Sequence, residues 1–151
     1  MLFRGANSLS LDEKGRLTIP KNYRQDIQEC CDGKMVITVD PDKCLLLYPR
    51  ETWLNIETKI AALPTLNKQS RILQRFLVGH AVDVEVDKAG RFRVPGTLRK
   101  FADLEKQIMF VGQGQKFEIW NEALWEKKTQ QWMEEIADKD ELIGDLESLS
   151  F

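Results

Sequence analysis

The sequence predicts an α+β fold, mainly β, in which two copies of one unit interlock as an intramolecular pseudo-dimeric β-barrel with peripheral helices. Three observations predict it. The first is a repeat: Leu11–Arg24 reads LDEKGRLTIPKNYR, and Val86–Arg99 reads VDKAGRFRVPGTLR. Both spell Asp-x-x-Gly-Arg-φ-x-φ-Pro-x-x-φ-Arg, with φ apolar or aromatic. The second is register. Asp12, Gly15, Arg16, Pro20 and Arg24 match Asp87, Gly90, Arg91, Pro95 and Arg99 at an offset of 75. Beyond the motif the offset is 72, and Val36, Val39, Tyr48 and Trp53 match Ile108, Val111, Trp120 and Trp125. The slip of three is expected in the loop after a short helix, where length changes are tolerated. The third is alternation of polar and apolar residues over short runs, the pattern of half-buried strands.

Each copy reads strand, turn, strand, helix, strand, strand. In copy one, SLSLD alternates, and Asp-Glu-Lys-Gly makes a tight turn with Gly15 free to take positive φ. RLTIP alternates again, with Leu17 and Ile19 on one face and Arg16 and Thr18 on the other. Pro20 suits a first helical turn, and the helix KNYRQDIQECC ends at Asp32-Gly33. KMVITVD and CLLLYP then pair around Pro41-Asp42-Lys43. Copy two repeats the order with AVDVEVD, RFRVP, GTLRKFA, QIMFVG and KFEIW, the last two joined around Gly112-Gln-Gly114. Four short strands and one helix enclose little core alone, whereas two interlocked units can close a barrel without free edges.

This reading divides the chain into a first repeat at 5–53, linking helices at 54–78, a second repeat at 79–125, and a C-terminal helix with an acidic tail at 126–151. The linking helices carry apolar stripes, Trp53, Ile56, Ile60 and Leu63, then Ile72, Leu73, Phe76 and Leu77 after Pro64. A third helix starts at Asn121, an N-cap residue, and presents Leu124, Trp125 and Trp132. The stripes suit core or subunit packing.

At 151 residues, 42% apolar and 30% charged, the chain is sized for one domain or two small ones sharing a core. No apolar run approaches the ~20 residues that span a bilayer, and no signal-peptide pattern opens the sequence. A cytoplasmic, reducing compartment is expected. Cys30, Cys31 and Cys44 are odd in number and lack framework spacing, so they read as structural thiols. With the single histidine, His80, they show neither zinc spacing nor a nucleophile–base pairing. No metal, cofactor, catalytic residue or small-molecule substrate is expected.

Net charge is −2, which by itself disfavours a nucleic-acid partner, but the charge is unevenly spread. Segment 4–24 carries +3 and segment 87–100 carries +4, while 134–151 carries −6. Positive charge is thus concentrated on the two motif copies. Lys14, Arg16, Lys21 and Arg24, with Arg4 nearby, are expected to line one end of copy one; Lys88, Arg91, Arg93, Arg99 and Lys100 do so in copy two. A two-stranded ribbon fits the DNA major groove, and Arg can contact guanine O6 and N7 bidentately. Lysines and the helix-borne Arg24 and Arg99 suit phosphates. Pairing of Arg16 with Asp12, and of Arg91 with Asp87, is the competing structural role, although exposed pairs add little stability.

MLFRGANSLSLDEKGRLTIPKNYR and GHAVDVEVDKAGRFRVPGTLRKFA, with LLLYP and KFEIWN, closely resemble the MraZ family of bacterial transcriptional regulators. The resemblance runs from Phe3 to about Trp132. It implies tandem AbrB-type swapped-hairpin units and a cytoplasmic, nucleoid-associated, ring-like homo-oligomer. It further implies binding to direct DNA repeats ahead of a cell-division and cell-wall gene cluster, usually as a repressor of its own operon. Through it, Arg16 and Arg91 with Lys14 and Lys88 become the expected DNA contacts. The alternatives are an antitoxin-like module whose acidic tail grips a toxin, and an enzyme, for which no residue pairing speaks.

Overall fold

A computed structural model describes residues 2–138. The chain divides into two compact units, one ending at Asn121 and the other beginning at Glu122. In the first unit, β1 (Phe3–Ser10), β2 (Arg16–Thr18) and α1 (Lys21–Cys31) are followed by β3 (Lys34–Val39) and β4 (Leu45–Pro49). Helices α2 (Arg50–Ala61) and α3 (Lys68–Leu73) lead through a π-helical turn, Gln74–Val78, into the second copy. There β5 (Val82–Glu85), β6 (Arg91–Arg93), α4 (Gly96–Phe101), β7 (Gln107–Gly114) and β8 (Lys116–Asn121) repeat the order. The second unit holds α5 (Glu122–Ala137), along which Trp125 and Trp132 meet edge-on at 5.7 Å. Residues 139–151 of the expected acidic tail lie outside the described residues.

The copies are joined strand by strand. β1 of copy one pairs antiparallel with β7 of copy two, and β5 of copy two pairs with β3 of copy one. β4 pairs with β8, and β2 with β6. Both of these last ladders centre on equivalent residues: Leu46 stands opposite Glu118, and Leu17 opposite Phe92. An approximate two-fold axis therefore passes through each, as the internal repeat requires.

The expected barrel is not closed. Six strands form one sheet in the order β1-β7-β8-β4-β3-β5, leaving edges at β1 and β5, and β2 and β6 form a separate ribbon. The reason is length. β2 and β6 have three residues each and pair with one another, so no strand bridges β5 back to β1. Exposed Asp83 and Glu85 on β5 oppose further edge pairing by charge.

Burial follows the predicted alternation. Leu17, Ile19, Ile27, Met35, Ile37, Leu45, Leu47, Val94, Ile108, Phe110, Phe117 and Ile119 are fully buried in one core drawn from both copies. Burying each such side chain supplies about 1.5–3 kcal/mol. The core is uneven across the axis. Phe117 stacks on Phe3 at 4.2 Å and on Phe110 at 4.5 Å, with Tyr23 edge-on at 5.0 Å. The copy-one counterpart of Phe110 is Thr38, fully buried. Its Oγ1 donates to the Leu77 carbonyl at 2.6 Å. That carbonyl belongs to the π-helical turn, where the sequence pattern predicts continuous α-helix.

The place of the offset slip and two strand boundaries differ from the sequence reading. α1 has 11 residues and α4 has six, so the copies diverge within the helix as well as in the loop after it. β1 starts at Phe3 rather than Ser8, because its full length pairs with β7. The β7–β8 turn falls at Gln115, since Gly112 and Gly114 stay in β7 opposite Gly5 and Phe3.

Candidate nucleic-acid interface

The repeated motif builds one continuous surface. In the β2–β6 ribbon, Leu17 and Phe92 point into the core at 0% and 3% exposure. The other face carries Arg16, Thr18, Arg91 and Arg93, all exposed. Arg16 stands directly opposite Arg93, and Thr18 opposite Arg91. Like charges facing each other across a ladder are destabilising, so this placement is not explained by folding alone.

Each turn is organised by its aspartate. Asp12 Oδ1 accepts from the backbone N–H of Lys14 at 2.9 Å and of Arg16 at 2.8 Å. Asp87 Oδ1 accepts from Ala89 and Arg91, both at 2.9 Å. The second carboxylate oxygens hold Arg16 Nε at 2.9 Å and Arg91 Nε at 3.4 Å. The two arginine side chains nevertheless keep 45% and 57% of their surface open. The predicted pairing therefore forms and leaves the rest of each guanidinium outward.

Both aspartates are held below the ordinary carboxyl value of 3.8, chiefly by the backbone hydrogen bond from Arg16 or Arg91. A carboxyl depressed in the folded state contributes fully above its unfolded value and is lost as pH falls through its folded value. Turn order is thus expected to persist through neutral and mildly acidic pH. Carboxyl-carbon NMR titration should place both midpoints below 3.8; a midpoint at or above that value would contradict the turn geometry.

The two glycines link the copies. Gly15 (φ +79°) and Gly90 (φ +84°) are buried, and both take a backbone conformation that a side chain would strain. The Gly15 carbonyl accepts from Val94 N–H at 2.8 Å, and the Gly90 carbonyl from Ile19 N–H at 2.7 Å. A Cβ on Gly15 would meet Arg99 Cζ at 2.5 Å, and one on Gly90 would meet Arg24 Nε at the same distance. Each arginine therefore lies against the turn of the opposite copy.

The predicted cations accordingly separate. Lys14 and Lys88 sit exposed on the turns beside Arg16, Arg91 and Arg93. Lys21, at the start of α1, and Lys100, in the last turn of α4, are exposed on helices. Arg24 and Arg99, expected to suit phosphates, are half-buried. Arg24 Nε donates to the Ile19 carbonyl at 2.8 Å, and Arg99 Nε is buried without a partner among the described residues. Arg4 is not brought to the ribbon. It lies six strand positions, about 20 Å, from the end of β1 that enters the turn. Sequence reasoning missed the crossed contacts, and no local pattern announces them; only the recurrence of each Gly and Arg hints at a shared task.

The other singled-out residues stand apart. His80 Nδ1 lies 2.7 Å from the Phe76 carbonyl, beside the rings of Phe76 and Phe101. Cys30 is exposed, Cys31 half-buried and Cys44 buried. Burial pushes the Cys31 thiol up to about 12, and it pushes Cys44 up as well. No group of three His, Cys, Asp or Glu able to hold a metal occurs among the described residues.

Fold and surface define a class: a chain of two interlocked copies whose paired aspartate–arginine turns flank a short basic ribbon. Comparison with known proteins places the chain within it. Residues 2–76 and 77–145 each match the family described as "MraZ protein, putative antitoxin-like". A transcriptional regulator MraZ of Methylococcus capsulatus is 51% identical over 90% of both chains. The one from Halorhodospira halophila is 47% identical over 99% of both. A third, from Pseudomonas putida, is 50% identical over 82% of this chain and 83% of its own. The chain belongs to the MraZ family.

Proposed function

We propose that the chain is a sequence-specific, DNA-binding transcriptional regulator, a non-enzymatic repressor of its own cell-division and cell-wall operon. It binds direct repeats in double-stranded DNA as a ring-like homo-oligomer, in the cytoplasm and at the nucleoid. The observation that carries this reading is the β2–β6 ribbon, which turns Arg16, Arg91 and Arg93 outward between Lys14 and Lys88. A two-stranded ribbon is of a size the major groove admits, and guanidinium groups on its outer face can reach base edges. The flanking lysines and the exposed Lys21 and Lys100 suit phosphates. Strand exchange between the copies supports the AbrB-type swapped-hairpin assignment. The names of the relatives support the regulatory role.

One ribbon makes few contacts, so a lone chain binds weakly. An oligomer gains by effective concentration on repeated sites. Exposed Leu54, Leu66, Ile72 and Leu73, on α2, α3 and the loop between them, are among the apolar side chains available for subunit contact. No helix among the described residues is long and apolar enough to cross a membrane.

The test is footprinting on DNA upstream of the protein's own gene, with the mass of the complex measured in parallel. Protection of repeated sites by a multi-subunit complex is expected. The log–log slope of affinity on salt should be on the order of −3 to −5 per bound chain, from the cations of the ribbon and turns. A flat salt response, or no protected site, would overturn the reading. The antitoxin-like alternative takes its support from the family's description. Capture of a specific toxin that depends on residues 134–151 would favour it.

A further inference from the structure

We propose that Arg24 and Arg99 are positioning residues acting across the copies: Arg24 sets the turn that aims Arg91, and Arg99 sets the turn that aims Arg16. The proposal rests on the DNA-binding reading and deepens it.

The geometry is reciprocal. The space a Cβ would take on Gly90 is filled by Arg24, with Nε 2.5 Å and Cδ 2.9 Å from it. The same space at Gly15 is filled by Arg99, with Cζ, Nη1 and Nε at 2.5, 2.6 and 2.8 Å. Each guanidinium thus lies on the one residue of the opposite turn that has no side chain. Gly15 immediately precedes Arg16, and Gly90 immediately precedes Arg91. On one side a relay of hydrogen bonds reinforces the contact. Arg24 Nε donates to the Ile19 carbonyl at 2.8 Å, and Ile19 N–H donates to the Gly90 carbonyl at 2.7 Å. On the other side the Val94 N–H holds the Gly15 carbonyl at 2.8 Å, while Arg99 Nε is buried without a partner among the described residues. The contact the geometry gives Arg99 is its guanidinium packed against the Gly15 turn. What both arginines share is a flat group seated on a glycine turn.

Burial separates this role from phosphate binding. Arg24 and Arg99 are half-buried, whereas Arg16, Arg91 and Arg93 are exposed. A direct ligand would have to leave its glycine. A positioning residue does its work by staying there, so that the turn aspartate meets a backbone already in place. The planar, delocalised guanidinium suits such stacking and an ammonium does not.

The crossed arrangement makes a crossed prediction. Affinity for the footprinted duplex is measured by fluorescence anisotropy for the full chain and for R24Q, R99Q, R16A and R91A. The doubles R24Q/R91A, R24Q/R16A, R99Q/R16A and R99Q/R91A complete the set. R24Q and R99Q should each weaken binding about tenfold, within the coupling range of contacting residues, with the salt slope unchanged. R24Q should add little in the R91A background and its full factor in R16A; R99Q should behave the opposite way. R24K keeps the charge and loses the plane, and should bind as weakly as R24Q. Thermal melts accompany each variant, and R24M or R99M, which keeps the aliphatic stem, replaces the corresponding glutamine variant if that one does not fold. A slope reduced by about one would make these arginines phosphate ligands and overturn the proposal. So would equal factors in both backgrounds, or full rescue by lysine. Wild-type affinity in R24Q and R99Q would overturn the positioning role alone. Absence of binding by the wild-type chain would overturn the functional reading and this proposal with it.

Discussion

Arg16→Ala is expected to lower affinity for the footprinted duplex by about a hundredfold, the upper range for loss of one bidentate base contact. The melting temperature and the mass of the assembly are expected to stay unchanged. The first expectation follows from exposure. The Arg16 guanidinium gives one Nε–H to Asp12 and keeps its outer edge open, on the ribbon face where Arg93 stands opposite. The second follows from the weakness of solvent-exposed ion pairs, which add little to folding. Asp12 also keeps its two backbone hydrogen bonds when the arginine side chain is gone, so the turn survives the substitution. Anisotropy on the footprinted duplex, with calorimetry and mass measurement, checks both halves. Equal affinity of wild type and variant would remove Arg16 from the interface, and a collapsed oligomer would make it a structural residue.

Phe117→Ala is expected to have the largest effect on folding, about 3–5 kcal/mol for a buried aromatic truncated to a methyl group. At the 2–4 °C per kcal/mol typical of this size, the midpoint should fall by roughly 6–20 °C. Phe117 is fully buried on β8 and lies between Phe3 of β1 and Phe110 of β7, with Tyr23 of α1 against its edge. The void therefore opens between copy-one and copy-two elements at once, and few neighbours can collapse into it without moving a strand. Phe76→Ala, half-buried against Phe101 and His80, is the comparison and should cost clearly less. Thermal unfolding of both decides. A Phe117 variant no less stable than the Phe76 variant would show that the aromatic cluster is not central to the core.

The repeat made much of this legible before any coordinates. Alternation at RLTIP and RFRVP located the ribbon's inner and outer faces, because side chains on a strand change sides with every residue. Pro20, Asp32 and Gly33 bracketed α1 to the residue. Offsets of 75 and 72 identified equivalent positions but not which copy would pair with which. That is decided by long-range ladders such as β1 with β7, which leave no local pattern. The same limit hid the contacts of Arg24 and Arg99 with the turn glycines of the opposite copy. A basic residue on a helix reads as a phosphate ligand until a glycine from the other copy is found beneath it. Barrel closure failed on a quantity the alternation does not carry, the three-residue length of β2 and β6. The aromatic cluster on one side of the axis and buried Thr38 on the other show how far the two copies have diverged inside a shared frame.

Thr18 occupies the position that Arg93 holds in the other copy, and the ladder sets Arg16 beside Arg93 at one end and Thr18 beside Arg91 at the other. The near-symmetric ribbon is therefore polarised, with two cationic heads forward and one behind. Rotated half a turn, it would offer a duplex a different face. Under the proposed DNA-binding function, a ribbon polarised in this way would favour sites that share one direction over mirror-image pairs.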